Sequence, residues 1–279
     1  MTDSPKPLPY DMGNIGDLLK HGVIAEFIRW SSDTYPDSKE FVFVDPFCGD
    51  ALKERANIKV INRLEQLRDN KGTKFEILNA QPDFEKSIYY GSTHVALRQI
   101  RSCNLSPHVY ISDENNERVK MLMESDSNQD IEQINHSNFY PSNGYSILDS
   151  INERGCFADM VLIDPFEDME KIRQRACDIF KASQRTAVVL FVLINDDTQW
   201  RKIWAELPEQ SIILTCPRLK NTGINGESNY TVKIILASHL LTHEVSNKLH
   251  EKLMDYADAL TDIAGNSLDG QRITCENHL

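Results

Sequence analysis

The sequence predicts an α/β protein built on a mostly parallel sheet. Along the 279 residues, seven short runs rich in apolar and β-branched side chains recur, and stretches with helical periodicity separate most of them. Several runs are apolar without alternation, which is typical of strands covered on both faces. Strands that alternate with helices indicate an α/β domain. The predicted strands are 41–45, 108–113, 131–135, 159–164, 186–195, 211–216 and 230–238.

Helices are predicted between these strands from apolar stripes. Residues 14–30 place six large apolar side chains on one stripe. Asn14 is suited to cap this helix, with Asp17 as its acidic partner three residues later. The other predicted helices are 92–101, 115–124, 167–181 and 198–207.

Two regions interrupt the alternation of strands and helices. Residues 53–90 are long, polar and helix-like, and we expect an inserted helical subdomain there. Residues 244–279 follow the last predicted strand and contain one amphipathic helix, 245–260, followed by a loose end. The predicted organisation is therefore a main domain, 1–52 and 91–243, with one insertion and a C-terminal helical extension.

The charge is strongly acidic overall but uneven. A formal net charge of −12 argues against a protein that coats nucleic acid by bulk electrostatics. Residues 53–74 nevertheless hold seven Lys/Arg against three Asp/Glu, whereas the tail from residue 244 holds seven acids against three bases. The basic segment is either a local nucleic-acid contact or a solvated helix face.

The remaining composition indicates an ordinary globular chain. No apolar run approaches the ~20 residues of a membrane helix, and the N-terminus lacks the basic and apolar regions of a signal peptide. We therefore expect a cytoplasmic protein without a membrane partner. The six cysteines are widely spaced, without Cys-x-x-Cys or a nearby His cluster, so neither a metal site nor a disulfide framework is predicted. We expect a monomer with reduced thiols.

The residues that follow the strands carry the functional argument, because ligands of doubly wound sheets bind beyond the carboxyl ends of the strands. The first strand runs into Asp45, Pro46, Phe47, Cys48 and Gly49. A glycine in such a turn lets a ligand approach the backbone closely. The turn is not Gly-x-Gly-x-x-Gly and lacks Gly-Lys-Ser/Thr, which weakens dinucleotide and ATP interpretations.

Polar residues elsewhere allow two interpretations each. Asp113 can bind ribose hydroxyls or cap the following helix. Asp164, before Pro165, can face a pocket or merely end a strand. Lys20 and His21 lie on a helix whose apolar stripe is complete without them, so they either belong to a site or face solvent.

Four segments resemble one known family in the same order. They are GNIGDLLKH (13–21), VDPFCGDA (44–51), YYGSTHVALRQI (89–100) and MVLIDPFE (160–167). The chain resembles the bacterial RlmJ-type family, S-adenosylmethionine-dependent enzymes that methylate the N6 amino group of an adenine in 23S ribosomal RNA. The resemblance implies a Rossmann-like class I methyltransferase fold with a seven-stranded mostly parallel sheet, S-adenosylmethionine as cofactor, and a nucleic-acid substrate, with RNA favoured over DNA.

The resemblance also implies a set of cofactor contacts at the strand ends. Lys20 and His21 would lie at the methionine end of the cofactor, Asp113 would bind its ribose, and Asn143 with Gly144 would lie at its adenine. The remaining implied contacts are Asp45, Phe47, Gly49, Ser92 and Asp164.

Asp164, Pro165 and Phe166 are the implied catalytic segment. The amino group of adenine is a poor nucleophile, because its lone pair is delocalised into the ring. A carboxylate and a backbone carbonyl that accept its N–H groups would favour pyramidal geometry, so that catalysis is largely positioning. Phe166 would stack on a base that is flipped out of a duplex.

Three departures from the family lie mainly on the substrate side. One proline of Asp-Pro-Pro-Tyr/Phe is missing, Asn143 replaces an acid, and the N-terminus lacks the Tyr-Arg-His start, for which Tyr10 can substitute. The alternatives are therefore a DNA adenine or other amino methyltransferase, and a catalytically inactive cofactor-binding or interaction protein.

Overall fold

The computed structural model describes residues 13–48, 54–55, 58–70, 74–112, 139–140, 158–164, 169–194, 210–221, 228–264, 268 and 270–278. The predicted strand at 131–135 and the predicted helices at 115–124 and 198–207 lie outside these residues. Within the described residues the chain forms ten strands and six α-helices.

Eight strands form one mixed sheet, and two more form a small separate pair. The strands are β1 (Glu40–Asp45), β2 (Glu54–Arg55), β3 (Ile88–Tyr89), β4 (Ser106–Ser112), β5 (Phe139–Tyr140), β6 (Met160–Ile163), β7 (Ala187–Ile194), β8 (Ser211–Asn221), β9 (Ser228–Ala237) and β10 (Thr274–His278). The order in the large sheet is β10-β8-β9-β7-β6-β1-β4-β5, and β2 pairs with β3. The five strands from β5 to β7 are parallel, whereas β9 and β10 run antiparallel to their neighbours.

The predicted α/β class with a mostly parallel, Rossmann-like sheet is confirmed, but the sheet has eight described strands where seven are predicted. The structure differs from the prediction at the C-terminus. The sequence predicts a loose end after the last helix, but Thr274–His278 pairs with β8 as an eighth strand. This strand is short, polar and only partly buried, so it lacks the apolar pattern on which strand prediction depends.

The helices are α1 (Ile15–Thr34), α2 (Ile58–Arg68), α3 (Ile77–Ala80), α4 (Ser92–Ser102), α5 (Met169–Ala182) and α6 (His243–Ala264), with a 3₁₀ turn at Phe84–Lys86. The predicted cap of α1 is confirmed, because the N–H of Asp17 donates to Asn14 Oδ1 at 3.1 Å. The Asp17 carboxylate in turn accepts the N–H of Gly13 at 3.0 Å. Gly13 has a φ of +81°, a conformation that glycine adopts without strain.

Apolar clusters fill both faces of the sheet. The larger cluster joins side chains of α1, α2, α4 and α6, including Leu18, Val60, Leu64 and Leu253, to one face of the strands. The smaller cluster packs α5 against the other face. Side chains from the 53–90 region thus belong to the same core as α1. The division of the chain into domains stays a prediction.

Helices α1 and α6 are in tight contact at Gly22. The Tyr256 ring lies over this glycine, and its hydroxyl donates to the Leu18 carbonyl oxygen at 2.6 Å. A Cβ atom at Gly22 would lie 2.0 Å from Cε1 of Tyr256. Glycine is therefore required here by the space available, since Tyr256 is fully buried and cannot rotate into solvent.

Gly22→Ala should destabilise the protein, because the added methyl group forces the Tyr256 ring and α6 away from α1. We expect a loss of about 1–3 kcal/mol in the free energy of unfolding, measured by urea denaturation. Asp33→Ala, at an exposed position of the same helix, should change it by less than about 0.5 kcal/mol. Equal denaturation midpoints for Gly22→Ala and the wild type would contradict this packing.

Candidate functional site at the carboxyl ends of β1 and β6

The candidate site lies where β1 and β6, which are neighbours in the sheet, reach their carboxyl ends. Asp45 is the last residue of β1, and Asp164 directly follows β6. The first half of α1 and the first turn of α4 lie against these strand ends and contribute Lys20, His21 and Ser92. Side chains from four elements therefore meet at one edge of the sheet.

Lys20 lies between two carboxylates in a buried position. Its Nζ atom is 2.5 Å from Asp164 Oδ2 and 3.6 Å from Asp17 Oδ1. Lys20 and Asp17 are each only 5% exposed, so solvent screens this arrangement weakly. Burial raises the pKa of Asp17, and the neighbouring Lys20 charge opposes that rise. The interpretation of Lys20 and His21 as a solvated helix face is wrong.

His21 is buried between a tyrosine and a serine. Its Nδ1 atom is 2.8 Å from the Tyr89 hydroxyl, and its Nε2 atom is 3.2 Å from Ser92 Oγ. Burial, together with the nearby Lys20 charge, holds the pKa of His21 well below its ordinary value. The ring is therefore neutral near pH 7, with one nitrogen as donor and the other as acceptor.

Asp45 is a buried carboxylate with one incompletely satisfied oxygen. Its Oδ2 accepts a hydrogen bond from Thr93 Oγ1 at 3.0 Å. Burial raises the pKa of Asp45 to about 7, and the hydrogen bond from Thr93 and the nearby N–H of Phe47 oppose this rise. Oδ1 nevertheless has no hydrogen bond of normal geometry within the described part of the chain. A buried oxygen of this kind is suited to a donor on a ligand.

The structure brings together five of the predicted site residues. They are Lys20, His21, Asp45, Ser92 and Asp164. Phe47 lies in the turn after β1, and its side chain packs against the smaller apolar cluster on the opposite face of the sheet. Six other predicted residues lie outside the described residues, and their roles stay predictions: Gly49, Asp113, Asn143, Gly144, Pro165 and Phe166.

Four further residues at the site were not predicted as such. Asp17 was expected only as part of the helix cap, yet it is also the second partner of Lys20. Tyr89 and Thr93 flank Ser92 in the segment YYGSTH, where polar side chains around a helix start were the available signal. Phe191 of β7 contacts Lys20, whose Nζ atom lies 5.0 Å from the centroid of the Phe191 ring. No local pattern identifies Phe191, because its position depends on strand register.

Three observations concern other kinds of site, each within the described residues. No helix there is both long and apolar enough to cross a membrane. No group of three or more metal-ligating side chains occurs in the same ranges. The five cysteines found there form no disulfide with one another: Cys48, Cys103, Cys177, Cys216 and Cys275.

Comparison with known proteins identifies the fold. No protein-family model and no curated protein matches the chain. Among solved structures, the chain is similar to protein LPL1258 from Legionella pneumophila, which is assigned to the family DUF519. The two are 14% identical, the alignment covers 96% of this chain and 98% of that chain, and the TM-score is 0.67. Human methyltransferase-like protein 13, solved in complex with SAH, aligns with 9% identity over 86% of this chain and 91% of that chain, with a TM-score of 0.42. At these identities the similarity to LPL1258 shows a shared fold alone, and the second alignment carries no argument.

Asp45→Asn should remove a pH-dependent loss of stability. Because burial raises the pKa of Asp45 to about 7 from 3.8, the folded state binds more protons than the unfolded state between these values, and stability falls as pH rises through this range. Between pH 4 and pH 7 the free energy of unfolding of the variant should therefore rise relative to that of the wild type, by roughly 1–4 kcal/mol in total. This difference should persist above pH 7.

Urea denaturation of the ligand-free protein at several pH values measures this difference. The exposed Asp33→Asn variant serves as the control and should follow the wild type. A difference between Asp45→Asn and the wild type that is independent of pH would contradict the assignment.

Proposed function

We propose that this protein is an S-adenosylmethionine-dependent methyltransferase that modifies the N6 amino group of an adenine in RNA, with 23S ribosomal RNA as the favoured target. The observation that carries the proposal is the meeting of Lys20 with Asp164. These residues belong to two family-like motifs 144 positions apart, and their side chains join at the ligand-binding edge of a Rossmann-like sheet.

The polar groups at the strand ends fit the cofactor. Bound S-adenosylmethionine would supply a methyl group on a positively charged sulfur. The buried Asp45 Oδ1, which has no donor of normal geometry among the described residues, suits the ammonium of its methionine portion. Ser92 and the N–H groups at the start of α4 suit the carboxylate of that portion. The neutral His21 orients the Ser92 hydroxyl without adding a positive charge.

Asp164 would position the amino group that receives the methyl. Lys20 holds Asp164 Oδ2, so Oδ1 would accept an N–H of the target amine and favour its pyramidal geometry. The carboxylate is only 15% exposed, and this partial exclusion of water strengthens its interaction with the amine. A carboxylate held on one side by a buried cation is suited to the positioning that this reaction requires.

The basic segment supports a nucleic-acid substrate through Arg63. This side chain of α2 is half-buried, and burial raises the pKa of both Tyr89 and Cys216, a rise that the nearby charge of Arg63 opposes. Tyr89 hydrogen-bonds to His21, so Arg63 lies beside the site. Arg68, by contrast, pairs with Glu85 and Asp69 at the surface. Arg63 is the residue of this segment to which we assign a phosphate contact near the site.

The wild-type protein should transfer a labelled methyl group from S-adenosylmethionine to RNA. Separate incubations with total RNA, with DNA and with single-stranded oligoadenylate, followed by mass spectrometry of the nucleosides, measure the product. N6-methyladenosine in RNA alone is the expected result. Product in DNA, or at a cytosine amino group, would replace the RNA assignment. Tight cofactor binding without turnover on any nucleic acid would favour an inactive binding protein.

Asp164→Ala should abolish methyl transfer while cofactor binding largely persists. Loss of a group that positions the target amine should lower kcat by at least about a hundredfold, whereas calorimetry should show a cofactor Kd within severalfold of the wild type. Because Lys20 loses a buried partner in this variant, Asp164→Asn provides a matched, nearly isosteric comparison, and circular dichroism checks that both variants fold. Wild-type turnover in either variant would refute the role given to Asp164.

A further inference from the structure

We propose that Leu193, supported by Phe191, forms an apolar wall at the exposed end of β7 against which the target nucleotide's base lies. The inference rests on the proposed function and extends it to the recognition of the substrate. It assigns base contact to a strand next to Asp164.

The pairing of β6 with β7 places Phe191 beside Asp164. Ile163 is opposite Leu190 in this parallel ladder, so the following residues, Asp164 and Phe191, are also neighbours. Side chains at matched positions of adjacent strands point to the same face of a sheet. Lys20 confirms this arrangement, since its Nζ atom is 2.5 Å from Asp164 Oδ2 and 5.0 Å from the centroid of the Phe191 ring.

Leu193 continues the same face toward solvent. It lies two residues beyond Phe191, and successive residues of a strand alternate between faces. Leu193 is 43% exposed, whereas its neighbours Val192 and Ile194 are 0% and 5% exposed. Its partner on β9, Val232, is completely buried. An exposed leucine at the end of a central strand, next to a polar site, is available to contact a ligand.

Arg63, on α2, would meet the phosphate of a nucleotide whose base lies on Leu193. Val232 pairs with Leu193 on one side and with Cys216 of β8 on the other, so the three side chains share one face. Arg63 lies beside Cys216, where its charge lowers the pKa of the thiol against the rise to about 12 that burial causes. Two strand spacings, roughly 10 Å, separate Leu193 from Cys216. This distance allows a base on Leu193, with its amino group toward Asp164, to place its phosphate near Arg63.

The test compares three variants: Leu193→Ala, Leu193→Phe and Met254→Ala. Met254 serves as the control, because it is an apolar residue of α6 that is similar to leucine in size and is 42% exposed. The substrate is single-stranded oligoadenylate, and a version containing 2-aminopurine reports base stacking by fluorescence. We expect Leu193→Ala to raise KM for oligoadenylate about tenfold, because it removes most of the apolar surface against which the base packs, and to weaken the fluorescence change. Its cofactor Kd should stay within twofold of the wild type.

The control variants complete this experiment. Leu193→Phe, which keeps an apolar surface, should retain KM, and Met254→Ala should match the wild type throughout. Arg63→Gln should weaken oligoadenylate binding and reduce the slope of log K against log salt by roughly 0.7. An unchanged KM and fluorescence signal in Leu193→Ala would contradict the proposed apolar wall. A weakening of cofactor binding as large as that of oligoadenylate binding would also contradict it.

The failure of this inference can be distinguished from failure of the proposed function. If the wild-type protein methylates oligoadenylate and the Leu193→Ala variant behaves identically, only the proposed apolar wall is refuted. If the wild-type protein binds no S-adenosylmethionine, the proposed function is refuted, and so is the apolar wall that rests on it.

Discussion

The buried position of Lys20 is the constraint on which the rest of the site depends. An ammonium group that is removed from water must be compensated by nearby opposite charge, and here Asp17 and Asp164 provide it. Asp17 lies one helical turn before Lys20. The Asn14 side chain accepts the Asp17 N–H, and the Gly13 N–H donates to the Asp17 carboxylate, so these two hydrogen bonds fix where that turn begins. The start of α1 is thereby tied to the end of β6. Loss of either carboxylate would leave a buried charge short of a partner.

This arrangement divides the site into two sides. On the β1 side, Asp45, His21 and Ser92 are polar, and burial disfavours the charged forms of Asp45 and His21. On the β7 side, Phe191 and Leu193 are apolar. The Lys20–Asp164 pair lies on the boundary between them. Polar side chains and an apolar surface thus lie on opposite sides of β6, an arrangement that the proposed transfer of a group between two molecules would use.

The parts of the structure that were predictable from the sequence are those with local patterns. The apolar strands, the stripe of α1 and its Asn14–Asp17 cap follow from residue spacing, and the meeting of Asp45 with Asp164 follows from the rule that parallel strands end at one edge. The contact of Phe191 with Lys20 depends on the register between β6 and β7, which no short segment encodes. Tyr89 as the partner of His21 depends on how β3 packs against α1, and β10 has no apolar signal at all.

The contact between Tyr256 and Leu18 joins residues 238 positions apart. Chains fold largely from the N-terminus as they leave the ribosome, at about 5–20 residues per second. Helix α1 emerges well before α6, so the surface around Gly22 lacks its native cover until α6 has been synthesised. The nascent protein therefore exposes the apolar back of its own site for at least about ten seconds, and this interval is when it would be most dependent on chaperones.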